Sequence, residues 1–204
     1  MAQSWRGRPG GSRSGDGADG PAARTPSPLD ADALERLALR YVERFATTEA
    51  RLAAYLDRKL RARGWRGDVP ADPAALVARM AALGYVDDRG FAQQRAAGLT
   101  RRGYGVRRVG AALRAAGIAA EDAAPAEEAA RDAAWAAALA FARRRRIGPF
   151  APDGGAAEAI DPLEARRRRD RAMAAMLRAG HPPRLAARIV DAAPGAVLDE
   201  DQPL

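Results

Sequence analysis

Arginine supplies most of the chemistry this sequence can do. Arg101-Arg102 and Arg107-Arg108 flank the turn Gly103-Tyr104-Gly105. Planar guanidinium forks at that spacing can grip phosphate or carboxylate by two-point contacts, with Tyr104 between them as a stacking or packing group. The same spacing equally suits a solvated turn between two helices. Two further runs, Arg143, Arg144, Arg145, Arg146 and Arg166, Arg167, Arg168, Arg169, bracket one Gly/Ala-rich segment. Four consecutive helical residues point in every direction. At least one arginine of each run is therefore expected near the buried face, its stem laid along it, unless that face meets an acidic partner. The bracketing of one segment by two runs favours the partner.

Other chemistry is poorly represented. His181 stands alone between Gly180 and Pro182, a position that fits a cap or surface residue rather than a base or metal ligand. Asp87-Asp88 are the nearest thing to paired carboxylates, and acid at a helix start satisfies free amides and complements the helix dipole. A magnesium site would need further oxygen ligands, and none is evident. Lys59, the only lysine, lies mid-helix outside any phosphate-loop motif, and Gly103-Tyr104-Gly105 lacks the third glycine and the preceding strand of a dinucleotide fingerprint. With no cysteine, disulfides, thiolate catalysis and Cys-ligated zinc are excluded. No catalytic residue, cofactor or metal is expected, and the reading is of a protein that is not an enzyme.

The chain has 204 residues, a net charge of +8 and 48% apolar residues, but only 5% aromatics. Much of the apolar share is alanine, which favours helix and buries little area. No apolar run is long enough to span a membrane and no secretory leader is recognisable. A cytoplasmic protein without membrane partners is expected. Lysine is almost absent beside abundant arginine, which fits a GC-rich genome as well as an anionic partner.

The elements that must position these residues are all helical. Residues 1–27 are rich in Gly, Ser, Arg and Pro and read as a disordered tail; 193–204 read as an acidic tail. Between them, apolar residues recur at helical spacing. Ser27-Pro28 offers the first helix a cap, with Leu34, Leu37, Ala38, Tyr41, Val42 and Phe45 inward. Thr47 or Thr48 caps a second helix, which Gly64 ends. Asp72-Pro73 caps a third, burying Leu76, Val77, Met80 and Leu83 before Gly84. A fourth follows Asp87-Asp88, with Phe91, Ala92, the stem of Arg95 and Leu99 inward. The fifth leaves the Gly103-Tyr104-Gly105 turn and stops at Gly117. The sixth, over 119–131, is interrupted by Pro125. Trp135 and Leu139 mark a seventh. Asp161-Pro162 opens an eighth, burying Met173, Met176 and Leu177, and His181-Pro182-Pro183 opens a ninth.

The middle helix of each three ends alike, at Leu60-Arg-Ala-Arg-Gly64, Leu113-Arg-Ala-Ala-Gly117 and Met176-Leu-Arg-Ala-Gly180, spaced 53 and 63 residues apart. An Ala/Arg/Leu-rich helix can produce such endings by chance, but the recurrence in one context argues for an internal repeat. The expected fold is all-α, an elongated array of three-helix repeats at 28–86, 87–131 and 132–192.

At this point the sequence resembles the RecX regulatory proteins, which modulate the RecA recombinase. The resemblance rests on Leu83-Gly84-Tyr85-Val86-Asp87-Asp88-Arg89-Gly90-Phe91-Ala92. It continues through Arg101-Arg102-Gly103-Tyr104-Gly105-Val106-Arg107-Arg108-Val109 to Leu113 and Gly117-Ile118. It covers about residues 30–192, more loosely in the third repeat. The resemblance implies tandem three-helix repeats and binding along the groove of the RecA–DNA filament, with contact to DNA. It also implies restraint of filament growth, strand exchange and ATP hydrolysis, in DNA repair, recombination and the SOS response, and no catalytic residues. The motif residues Gly84, Tyr85, Asp87, Asp88, Phe91, Gly103, Gly105 and Gly117 are then structural. A monomer is expected. The alternative is a stand-alone basic helical DNA-binding protein independent of RecA, which would bind bare DNA with a steep salt dependence.

Overall fold

Short polar side chains fix where most of these helices begin. The computed structural model describes residues 27–152 and 161–199. The expected N-terminal tail, most of the 149–160 loop and the end of the acidic tail lie outside the described residues. Among the described residues the helices are α1 (Ala31–Arg44), α2 (Glu49–Arg63), α3 (Pro73–Ala82), α4 (Asp88–Arg101) and α5 (Val106–Arg114). They continue as α6 (Ala120–Asp132), α7 (Ala134–Arg145), α8 (Pro162–Arg178) and α9 (Pro183–Val190), with one 3₁₀ turn at Gly148–Phe150. Thr48, Asp72, Asp87 and Asp161 each cap the helix that follows by accepting from a first-turn amide.

Asp30 rather than Ser27 caps α1, accepting from the Ala33 amide at 2.9 Å. The preceding residues stay out of the helix because Leu29 is paired elsewhere. Its N–H donates to the Gly64 carbonyl at 2.9 Å and its carbonyl accepts from the Arg66 amide at 2.8 Å. Leu29 is thereby fully buried, a core residue that helical periodicity does not reveal.

The helix over Pro125 is unbroken, contrary to the expected interruption. Pro125 falls early in α6, where it removes one intrahelical bond. The helix is held by Ala123, Ala126 and Ala130, which are buried in the same cluster as Ala92 and Ala96 of α4.

Three clusters of buried side chains form. One joins Leu29, Leu34, Leu52, Leu56, Leu76, Met80 and Val86 from α1–α3 and their flanks. A second draws on α4–α6 and is mostly alanine around Leu99, Val109 and Leu113. The third gathers Phe141, Ile147, Met176 and Ile189 from α7–α9. Some expected core positions face solvent. Leu83 is 63% exposed because α3 has already ended and Gly84 turns the chain away. Leu177 is 39% exposed, and Arg95 lies on the outer face of α4.

Candidate functional site

The turn after α4 is built by close backbone approach. Gly103 adopts φ +73° and lies so near α7 that a Cβ there would meet the Phe141 nitrogen at 2.8 Å. The Gly105 amide donates to the Ala179 carbonyl at 2.9 Å, and the Arg107 amide to the Gly180 carbonyl at 3.3 Å. Gly180, at φ +93°, leaves no room for a side chain, since a Cβ would fall 2.5 Å from the Arg108 nitrogen. The turn is thus a docking point between the second and third helical groups, and Tyr104 packs against both of their cores.

His181 completes this junction and is fully buried, not the cap or surface residue expected. Its Nε2 lies 3.1 Å from the Gly103 carbonyl, so Nε2 carries the hydrogen and donates. Nδ1 is left without a partner. Burial holds the imidazole pKa below its usual value, and the bond to Gly103 offsets this only in part. The Phe141 ring lies 5.6 Å away, centroid to centroid.

Outward from this rigid turn, Arg101, Arg102, Arg107 and Arg108 are all exposed. The guanidinium carbons of Arg108 and Arg102 stand 5.1 and 6.0 Å from the Tyr104 ring centroid. Arg102 also donates to the Gly98 carbonyl.

All the arginines of the two runs are exposed too, so none is drawn into the core as the alternative to a partner contact would require. The first run coincides with the end of α7: Arg146 turns left-handed at φ 54°, so the helix does not carry the run around its axis. Arg143 lies over Phe150 at 4.9 Å, while Arg144 and Arg145 stand 5.9 and 5.8 Å from the Phe141 centroid. The second run occupies the first half of α8, where residues 165–171 are exposed all round.

The fold nevertheless brings the runs together. Arg145, Arg146, Arg168 and Arg169, with Arg171, line one groove of about 530 Å³ floored by Ile147, Gly148 and Ala172. Charge is partly spent there: Arg169 pairs with Asp191 at 2.6 Å, and Arg168 and Arg171 pair with Glu164 at 3.1 and 3.0 Å. A second recess of about 230 Å³ lies beside it, lined by Tyr104, Arg108, Phe141, Arg145, Ala175, Arg178 and Ala179. Arg178 was not singled out by sequence reading; its signal is its place two residues before the Gly180 of the recurring helix ending.

Asp87 and Asp88 divide their work. Asp87 accepts from the Gly90 amide at 2.8 Å and caps its own helix. Asp88 reaches the Glu49 amide at 2.9 Å and so caps α2, in the first helical group. Partial burial raises its pKa, opposed by that amide. Thr48 spans the same junction, donating to the Ala116 carbonyl at 2.7 Å, and Gly117 leaves no space for a Cβ against Ala50. Phe91 is half-buried beneath Arg51, at 5.3 Å, whereas Tyr85 is 52% exposed beside the open Gly84 turn. Among the described residues no group of three His, Cys, Asp or Glu could hold a metal ion, and no helix is long and apolar enough to cross a membrane.

No protein-family model matches the sequence. Over 168 residues it is 32% identical to the regulatory protein RecX of Myxococcus xanthus (strain DK1622), an alignment spanning 79% of this chain and 86% of that protein. The fold is similar to a crystal structure of regulatory protein RecX, with a TM-score of 0.53 over 78% of this chain and 73% of that one, at 18% identity.

Proposed function

Since this chain belongs to the RecX family of regulatory proteins, we propose that it binds the RecA–DNA filament and restrains RecA's recombinase and ATPase activity, without being an enzyme itself. The observation that carries this reading is the 32% identity extending over most of both chains. Supporting it, the exposed arginines on either side of Gly103-Tyr104-Gly105 make no ion pair among the described residues and stand on a turn stiffened by close backbone packing. Such groups can offer charge-assisted hydrogen bonds at low ordering cost.

Mechanistically, an array of three helical groups, each with its own buried cluster, lies across several RecA protomers as a monomer. Arginines contact DNA phosphate or acidic protein surface, and the occupied groove hinders protomer addition and the motions coupled to ATP turnover. Charge reversal of Arg101, Arg102, Arg107 and Arg108 together should raise the concentration for half-inhibition of RecA's DNA-dependent ATPase about tenfold or more, given roughly 1.5–3 kcal/mol per charged hydrogen bond. Inhibition unchanged in that variant would remove these residues from the site. The competing reading, a DNA-binding protein independent of RecA, expects tight binding to bare DNA with a steep salt dependence, whereas the filament reading expects a preference for RecA-coated DNA.

A further inference from the structure

The recess between the second and third helical groups collects guanidinium groups from three helices: Arg108 of α5, Arg145 of α7 and Arg178 of α8. No carboxylate lines it, and none of the three makes an ion pair among the described residues. The neighbouring groove differs, because Arg168, Arg169 and Arg171 there are already matched to Glu164 and Asp191. Like charges gathered without an internal counter-ion repel one another, and an external anion relieves that repulsion.

The geometry is fixed before any ligand arrives. The backbone of Arg108 is pressed against Gly180, and the Gly105 amide is bonded to Ala179, so α5 and α8 are registered at this point. Arg108 lies over Tyr104 at 5.1 Å and Arg145 stands 5.8 Å from the Phe141 centroid. Aromatic contact restrains each guanidinium plane and leaves N–H edges free for two-point bonding.

At about 230 Å³ the recess falls below the roughly 300 Å³ at which small-molecule pockets begin. It suits a single tetrahedral anion. Two further arginines without an ion pair among the described residues stand by the rings that line the recess, Arg102 at 6.0 Å from Tyr104 and Arg144 at 5.9 Å from Phe141, and residues 101–108 and 143–146 contain no acid. A polyanion charged at every step matches this better than an isolated side-chain carboxylate. A narrow recess also admits one flexible backbone, whereas a stiff duplex presents its phosphates on a convex surface.

We propose that this junction is a seat for the phosphodiester backbone of a single DNA strand, gripped by Arg108, Arg145 and Arg178; the assignment rests on the filament reading and names the partner of these arginines. A seated strand bridges the second and third helical groups.

The test uses the full chain and fluorescein-labelled oligo(dT), followed by anisotropy across a salt titration. The triple variant R108Q/R145Q/R178Q should bind at least about tenfold more weakly, and its salt slope should flatten by roughly 0.7, for the one phosphate that the recess seats. R40Q, on the exposed face of α1, should bind as the unaltered protein does. A duplex of equal length should lose much less affinity than the single strand. Should the triple variant lose helicity by circular dichroism, R178Q and R178K decide, with weakening expected in both and the smaller loss in R178K. Oligo(dT) affinity unchanged in folded variants overturns the seat, as does absent binding by the unaltered protein. Equal loss for the duplex, or displacement by polyglutamate at equal charge, overturns its assignment to a single strand. RecA ATPase is measured alongside. Normal inhibition with an unaffected oligo(dT) affinity removes the seat and leaves the filament reading standing; no inhibition by the unaltered protein removes the filament reading itself.

Discussion

His181 is the chain's one histidine, the side chain whose ordinary titration lies between those of carboxylates and amines, and it is buried. Its folded pKa lies below the ordinary value of 6.5, so the unfolded chain binds the proton first as pH falls. Stability is therefore full above about pH 6.5 and is lost progressively as pH drops toward the folded pKa. Thermal unfolding of the unaltered protein should show a lower midpoint at pH 5.5 than at 7.5, while H181Q should show little change over that interval. Equal drops in both would remove His181 as the cause. Arg146 offers a test of the opposite sign. It is the one non-glycine residue with positive φ among the described residues. Replacing it with glycine should relieve a cost of roughly 1 kcal/mol, seen as a higher urea midpoint. At this scale, composition revealed that arginine carries the chemistry. It did not reveal that Arg169 is matched to Asp191, since that pairing spans 22 residues, whereas Arg168 and Glu164 stand one helical turn apart.

Helix boundaries were the most legible feature, because a cap acts within three residues of itself. Thr48, Asp72 and Asp161 cap where sequence reading placed them. Asp30 displaced Ser27 because Leu29 has partners some 35 residues further on, a contact local spacing cannot show. Glycine turns separate by surroundings in the same way. Gly84 and Gly180 both have positive φ, but nothing lies within 4 Å of a Cβ at Gly84, whereas one at Gly180 would strike Arg108. G84A should cost about 1 kcal/mol for conformation alone, and G180A distinctly more, in urea unfolding followed by circular dichroism. Similar losses in the two would mean that the junction adapts to the extra methyl. The Arg runs show what helical direction alone leaves open: the arginines at 143–145 close α7 and those at 166–169 lie in the exposed first half of α8, so no arginine of either run is drawn into a core.

Across the whole molecule, three separate buried clusters predict uneven stability. L56A in the first cluster should cost about 2–5 kcal/mol locally. Hydrogen exchange should then quicken in α1–α3 while protection in α7–α9 stays near its original level. Uniform loss of protection would show one cooperative core instead. The all-α class was fixed by the sequence alone, because alanine abundance, apolar spacing and end caps are local preferences that leave no competing strand pattern. The motif around Asp87-Asp88 and Gly103-Tyr104-Gly105 likewise carried the resemblance to RecX proteins unaided, and the identity to a named relative now places the chain in that family. Only the tertiary structure decided which charges meet. It set Asp88 on the start of α2, buried His181 against Gly103, and drew Arg108, Arg145 and Arg178 around one recess. Those contacts join residues 33 to 78 positions apart along the chain. They arise from how helices dock, and docking depends on which glycines and alanines permit close approach, a property of pairs of surfaces rather than of either helix read by itself.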